Sequence, residues 1–294
     1  MSHSLDGKVA VVTGGTQGIG LAIAEEFVKN GATVVVTGRD QGRLDETVAT
    51  IGPTASGVRA DAGSPAAMDA LLKDVKARHG RLDAVVANAV ADDHAPLGKI
   101  TEEQFDTMIG TNLKGVLFAV QSAVPLMSSG GSIILIGSTA SVAPPPGMSI
   151  YGAIKAGFHG MVRALIQDLK GTGVRINIVS PGAVDTPSLR RALGKASARN
   201  GWTRSSSRWR SGARSGGSER RARSASRGVP RERRVKLHQW RGTLCRWRVN
   251  AGGLRQAIVA TLRGVDSASL GLRWIDPFLQ RRIDSAWVPC RFSV

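Results

Sequence analysis

The 294-residue chain carries a formal charge of +18, and nearly all of it lies in the last third. Residues 1–195 hold 18 Lys and Arg against 17 Asp and Glu, whereas residues 196–294 hold 22 against 5, with Lys236 the single lysine there. The balanced, Ala/Val/Gly-rich first part excludes a basic nucleic-acid module over that span and is long enough to bury an α/β core. No apolar run reaches the length of a membrane span and no signal peptide leads the chain, so a cytoplasmic protein with no membrane partner is expected. Cys245 and Cys290 both fall in the basic part, and the five histidines are scattered without ligand spacing. Neither a disulfide framework nor a metal site is therefore expected.

Taken in chain order, Lys8–Thr13 is a valine-rich run that reads as a buried strand, followed at once by Gly14-Gly15-Thr16-Gln17-Gly18-Ile19-Gly20. An amphipathic helix over about Leu21–Asn30 ends at Gly31, and Thr33–Thr37 is the next buried strand. The alternation continues with a helix from Gln41, a strand near Val58, a helix from Ser64 and a strand over Ala84–Ala87. It closes with a helix from Thr101, a strand over Ser132–Ile136, a helix around Tyr151 and a strand over Arg175–Val179. Continuous apolar strands alternating with helices predict a doubly wound parallel sheet. In that setting the glycine loop succeeds the first strand of a βαβ unit. Its missing Cβ atoms and the free N–H groups of the next helix suit a dinucleotide pyrophosphate.

The only tyrosine, Tyr151, has Lys155 four residues later, on one face of the predicted helix. A fixed cation beside a phenol favours the phenolate and lowers a pKa that otherwise lies near 10, giving a general acid/base. Alone, this spacing occurs by chance in many helices. Ser138, thirteen positions before Tyr151, ends the strand Ile133–Ile136, and Asn112 stands in Asn112-Leu113-Lys114-Gly115.

Together these motifs make residues 1 to about 190 resemble the short-chain dehydrogenase/reductase family. Thr13, Gly14, Gly18 and Gly20 match its glycine signature, and Pro181-Gly182-Ala183-Val184-Asp185-Thr186 matches its segment after the sixth strand. The resemblance implies a Rossmann-like fold and an oxidoreductase that interconverts an alcohol and a ketone by hydride transfer. It assigns Asn112, Ser138, Tyr151 and Lys155 to the proton relay, with Ser138 orienting the substrate oxygen and Asn112 anchoring a water that links Lys155 to solvent. Cofactor contacts are expected from Gly14, Thr16, Gln17, Gly18, Ile19, Gly20, Arg39, Asp61, Asn88, Lys155, Pro181, Gly182 and Thr186. Arg39, at the end of the second strand, suits a 2′-phosphate and favours NADP(H), while Asp40 next door leaves NAD(H) open. Relatives are commonly homo-oligomers. One departure is Asn88-Ala89-Val90, where the family has glycine in the third place, which predicts a local shift or weaker cofactor binding.

The organisation expected is thus a Rossmann-like dinucleotide-binding and catalytic domain over 1–195. An irregular or disordered arginine-rich tail over 196–294, not an independent domain, comes after it. That tail lacks helical or strand periodicity and aliphatic content. With the frame displaced by one nucleotide, codons for Pro230–Val249 permit LASDASSFINGAELFVDGG, the ending expected of the family. Trp240-Arg241 and Trp247-Arg248 each force the glycine that string needs. A frameshifted translation beyond roughly residue 200 would remove the closing strand and compromise any homo-oligomer. The competing reading, an Arg/Ser/Trp nucleic-acid binder, rests on a charge run alone, so a specific nucleic-acid partner is not expected. A third possibility is a Rossmann domain impaired in catalysis because its substrate region is replaced. The substrate expected is a small alcohol or carbonyl compound.

Overall fold

Six parallel strands carry the fold, in the spatial order β3-β2-β1-β4-β5-β6. They are β1 (Val9–Val12), β2 (Thr33–Gly38), β3 (Ala55–Arg59), β4 (Ala84–Ala87), β5 (Ser132–Ile136) and β6 (Arg175–Val179). The computed structural model describes residues 4–191 and Val259. Strand bounds fall within a residue or two of those read from the valine runs, because a strand covered on both faces must be apolar at every position. All four residues of β1, all four of β4 and all five of β5 are buried.

Alternate strand residues feed the two sides of the sheet. Ala10, Val12, Val34, Val36, Ile134 and Ile136 join α1 (Gly18–Lys29) through Ile23, Ala24 and Phe27, and α2 (Gln41–Ile51) through Leu44. Val9, Val11, Val35 and Val85 face α3 (Pro65–His79) and the end of α5 (Gly115–Ala123). Ile133, Leu135 and Ile176 face α6 (Ser149–Asp168), α5 and Met108 of α4 (Glu102–Ile109). Val259 is helical, 7% exposed, and belongs to the first of these clusters with Leu5 and Phe27. The rest of the arginine-rich stretch, and with it the expected tail boundary, lies outside the described residues.

Local chemistry fixes most helix starts. Asp40, Ser64 and Thr101 each accept a backbone N–H from the third residue beyond, and Thr101 completes a reciprocal capping box with Gln104. Helix α1 begins at Gly18, three residues ahead of the amphipathic stretch read from Leu21, with two glycines in its first turn. One feature was not legible in the sequence. Between α4 and α5 a π-helical turn, Gly110–Lys114, carries Asn112. Gly115, just after it, abuts the loop behind β3 so closely that any Cβ would overlap the Ala62 carbonyl oxygen. Among the described residues no helix is long and apolar enough to cross a membrane.

Candidate active site

The strand order reverses between β1 and β4, and ligands of open α/β sheets bind where such a reversal opens a crevice at the carboxyl ends. The glycine loop occupies this crevice. Gly14 and Gly18 have φ of +63° and +58°, a region that residues with a Cβ seldom adopt. A Cβ on Gly14 would stand 2.9 Å from Ala89 Cα, and one on Gly20 would overlap the Gly14 carbonyl oxygen and Asn88 Nδ2. Asn88 braces the loop, its Nδ2 donating to Thr13 O at 2.9 Å and Gly14 O at 3.0 Å. Thr13 Oγ1 in turn accepts from the backbone N–H groups of Asn88 and Ala89, each at 3.0 Å.

Gln17 precedes α1 without any side-chain cap, in contrast to the capped α2, α3 and α4. The first N–H groups of α1, around Gly18, Ile19 and Gly20, therefore retain their capacity for an anionic partner. Thr16 packs against Gly38, whose Cβ, if present, would lie 2.8 Å from Thr16 Cγ2. A cradle shaped by absent side chains and uncapped donors fits a dinucleotide pyrophosphate.

Arg39 directly succeeds β2 and is exposed. Asp40 is committed elsewhere: its Oδ1 accepts Arg43 N at 3.0 Å as the cap of α2. Asp61 Oδ1 accepts Gly63 N at 2.9 Å in a turn after β3, and the carboxylate is otherwise exposed. Val90 is 40% exposed, so its branched side chain has room at the surface beyond β4.

Tyr151 and Lys155 share the inner face of α6, packed toward β5. Lys155 is 5% exposed and donates from Nζ to Ile136 O at 2.6 Å. The same nitrogen lies 5.5 Å from the Tyr151 ring centroid and 4.6 Å from that of Phe158. Burial depresses the Lys155 pKa from 10.5 to about 7. The Tyr151 pKa is raised from 10.0, chiefly by burial; a hydrogen bond with Ser138 lowers it and the nearby Asp92 charge raises it further. The direction is opposite to the sequence-based expectation of a phenol made acidic by its neighbour. The reason is that Lys155 shares the same desolvated pocket, which disfavours its own charge and points Nζ at a carbonyl.

Ser138, at the end of β5, also accepts Ala140 N at 3.1 Å. Next to it, Thr139 N donates to Pro181 O at 3.0 Å. Five residues beyond Pro181 the chain returns to the glycine loop, where a Cβ on Gly18 would meet Thr186 Cγ2 at 3.2 Å. Tyr151, Ser138, Pro181, Gly182, Thr186 and the glycine loop thus sit along one carboxyl edge of the sheet.

Asn112 is 1% exposed, and its side chain is fully engaged. Its Oδ1 accepts Ala91 N at 2.7 Å and its Nδ2 donates to Ala91 O at 2.9 Å. The side chain therefore clamps the loop after β4. Sequence reasoning missed a second pair on that loop. His94 Nε2 lies 2.6 Å from Asp92 Oδ1, and the His94 ring stands edge-on to Tyr151, centroids 5.6 Å apart at 76°. Fifty-odd residues separate His94 from Tyr151, and no local spacing signals their meeting.

Comparison with known proteins agrees with this geometry. Residues 8–196 match the family described as short chain dehydrogenase. The oxidoreductase asL5 of Sarocladium schorii is 46% identical over 193 residues, 65% of this chain and 78% of that relative. A short chain dehydrogenase from Burkholderia cenocepacia J2315, solved in complex with NADP, aligns with a TM-score of 0.61 and 36% identity over 63% of this chain and 78% of that one. A 3-ketoacyl-(acyl-carrier-protein) reductase from Brucella melitensis complexed with NADH aligns with a TM-score of 0.60 and 30% identity, covering 63% and 80%.

Proposed function

The chain belongs to the short-chain dehydrogenase/reductase family of NAD(P)-dependent oxidoreductases, and on that footing we propose that it interconverts an alcohol and a ketone using NADP(H) in preference to NAD(H). The observation that carries the reading is the contact of Tyr151 with Ser138 above buried Lys155, on the sheet edge that also bears the glycine loop. Ser138 donates to the substrate oxygen and orients it toward Tyr151. The phenol hands that oxygen its proton in reduction and removes it in oxidation. Held protonated by burial, Tyr151 is in the form that reduction requires.

A bound nicotinamide supplies what no side chain here offers, a hydride donor or acceptor at carbon. Gly14, Thr16, Gln17, Gly18, Ile19 and Gly20 would hold the pyrophosphate, and Asn88 keeps their loop in shape. Asp61 would meet the adenine, Lys155 the nicotinamide ribose, and Pro181, Gly182 and Thr186 the nicotinamide side. NADP(H) is favoured because Asp40 is spent capping α2 while Arg39 is exposed for a 2′-phosphate. Lys155, with a pKa near 7, passes protons in either direction at neutral pH, and the backbone around Asn112 offers the exit to water.

The test uses the full chain, with NADPH binding monitored by its fluorescence and turnover monitored over a panel of carbonyl compounds. Tyr151→Phe is expected to bind NADPH within about threefold of the parent while kcat falls by roughly 10²–10⁴. Turnover undiminished in Tyr151→Phe overturns the assignment. Binding without turnover in the parent favours instead the impaired Rossmann domain.

A further inference from the structure

The loop between β4 and α4 is fastened at several points. Asn112 grips Ala91 at its start, and Gln104 Nε2 donates to Asp93 Oδ2 at 3.1 Å from within the α4 capping box. Farther on, Ala95 is buried, and a Cβ on Gly147 would lie 3.7 Å from its carbonyl carbon, so the turn after Pro144-Pro145-Pro146 closes against it. Between these anchors stand Asp92 and His94, joined at 2.6 Å, with the imidazole edge-on to the Tyr151 ring. The loop does not need this pair to keep its shape, since Asn112 and Gln104 already hold it.

The chemistry of the pair is directional. With Nε2 turned to the Asp92 carboxylate, the ring's other nitrogen, Nδ1, is the one left for a polar partner. We propose that His94, seated against Asp92, is a substrate-positioning residue whose Nδ1 hydrogen-bonds a hydroxyl on the carbon next to the reacting one, so that α-hydroxyketones and the matching vicinal diols are the preferred substrates. The inference rests on the Tyr151 reading above, since Tyr151 defines where the reacting oxygen sits. The second hydroxyl keeps its proton and its bond to carbon throughout, and only the neighbouring carbon changes oxidation state. A plain ketone leaves Nδ1 without that partner, the situation in which a polar site rejects an analogue lacking the hydroxyl.

The experiment compares 1-hydroxy-2-butanone with 2-butanone as substrates for the full chain with NADPH, in the parent, His94→Leu and His94→Asn. Alongside it, saturation-transfer NMR compares binding of 1,2-butanediol and 2-butanol in the presence of NADP⁺. The parent is expected to favour the hydroxyketone at least tenfold in kcat/KM. His94→Leu brings that ratio to within about threefold of unity, mainly through KM, and costs the diol its binding advantage. His94→Asn, whose amide oxygen can stand near the Nδ1 position, recovers part of the preference and carries the test if the leucine variant fails to fold. A parent ratio near one, or a ratio unchanged in His94→Leu, overturns the proposal. If no compound turns over but diol binding still depends on His94, the Tyr151 reaction fails and this recognition stands. If neither turnover nor His94-dependent binding is found, both fall.

Discussion

Replacing Lys155 by methionine is expected to stabilise the folded chain at neutral pH while removing the amine that the proposed reaction uses. Burial brings the Lys155 pKa from 10.5 down to about 7, a drop of roughly 3.5 units. At about 1.4 kcal/mol per unit the buried ammonium costs at most about 5 kcal/mol of stability. Proton counts set the sign: between pH 7 and 10.5 the unfolded chain holds a proton on this lysine that the folded chain has released. The destabilisation is therefore complete below pH 7, shrinks by about 1.4 kcal/mol per pH unit above it, and is gone above 10.5. Methionine fills the same tunnel without charge but leaves Ile136 O without the donor it meets at 2.6 Å, a loss of about 1–3 kcal/mol. Net, Lys155→Met should be about 2–4 kcal/mol more stable at pH 6.5 and lose its advantage near pH 9, given those magnitudes. Urea unfolding monitored by far-ultraviolet circular dichroism at pH 6.5, 8 and 9.5 measures the difference. A gap that does not change with pH, or a variant less stable than the parent at pH 6.5, refutes the account of Lys155 as a strained, buried amine.

Two further outcomes bear on the cofactor cradle. Arg39→Ala is expected to weaken NADP⁺ binding by roughly ten- to a hundredfold, the worth of a charge-assisted contact, and NAD⁺ binding by less than threefold in titration calorimetry. Equal losses for both would remove the argument for a 2′-phosphate site. Gly20→Ala forces a methyl into the Gly14 carbonyl and Asn88 Nδ2, so a loss of about 1–3 kcal/mol in unfolding stability is expected together with loss of NADPH binding; unimpaired binding would mean the loop yields more easily than its bracing indicates.

The sheet was readable because its strands are buried on both sides and therefore apolar at every position, as in Val9–Val12 and Ile133–Ile136. The helix starts were readable at Ser64 and Thr101, whose side chains cap α3 and α4. The start of α1 near Gly18 was legible from the glycine loop, although Gly18 and Gly20 argue against helix by propensity alone. For the candidate site, Tyr151 and Lys155 share one face of α6, while Thr186 packs against Gly18 of the glycine loop. The electrostatics of Tyr151 and Lys155 could not be read from spacing: four residues along a helix fix proximity, whereas burial sets the direction of both pKa shifts. Asp92 and His94 were invisible because a bulky pair brought to Tyr151 by chain topology leaves no periodic trace in the sequence.

Gly115 gives the crevice one further property. With no atom interposed between its α-carbon and the carbonyl of Ala62, the segment bearing Asn112 and the segment bearing Asp61 bear on each other main chain to main chain. Close-packed backbone has little compliance. A side chain at position 115 would therefore have to drive the Asn112 turn away from the loop behind β3, and with it the clamp on Ala91.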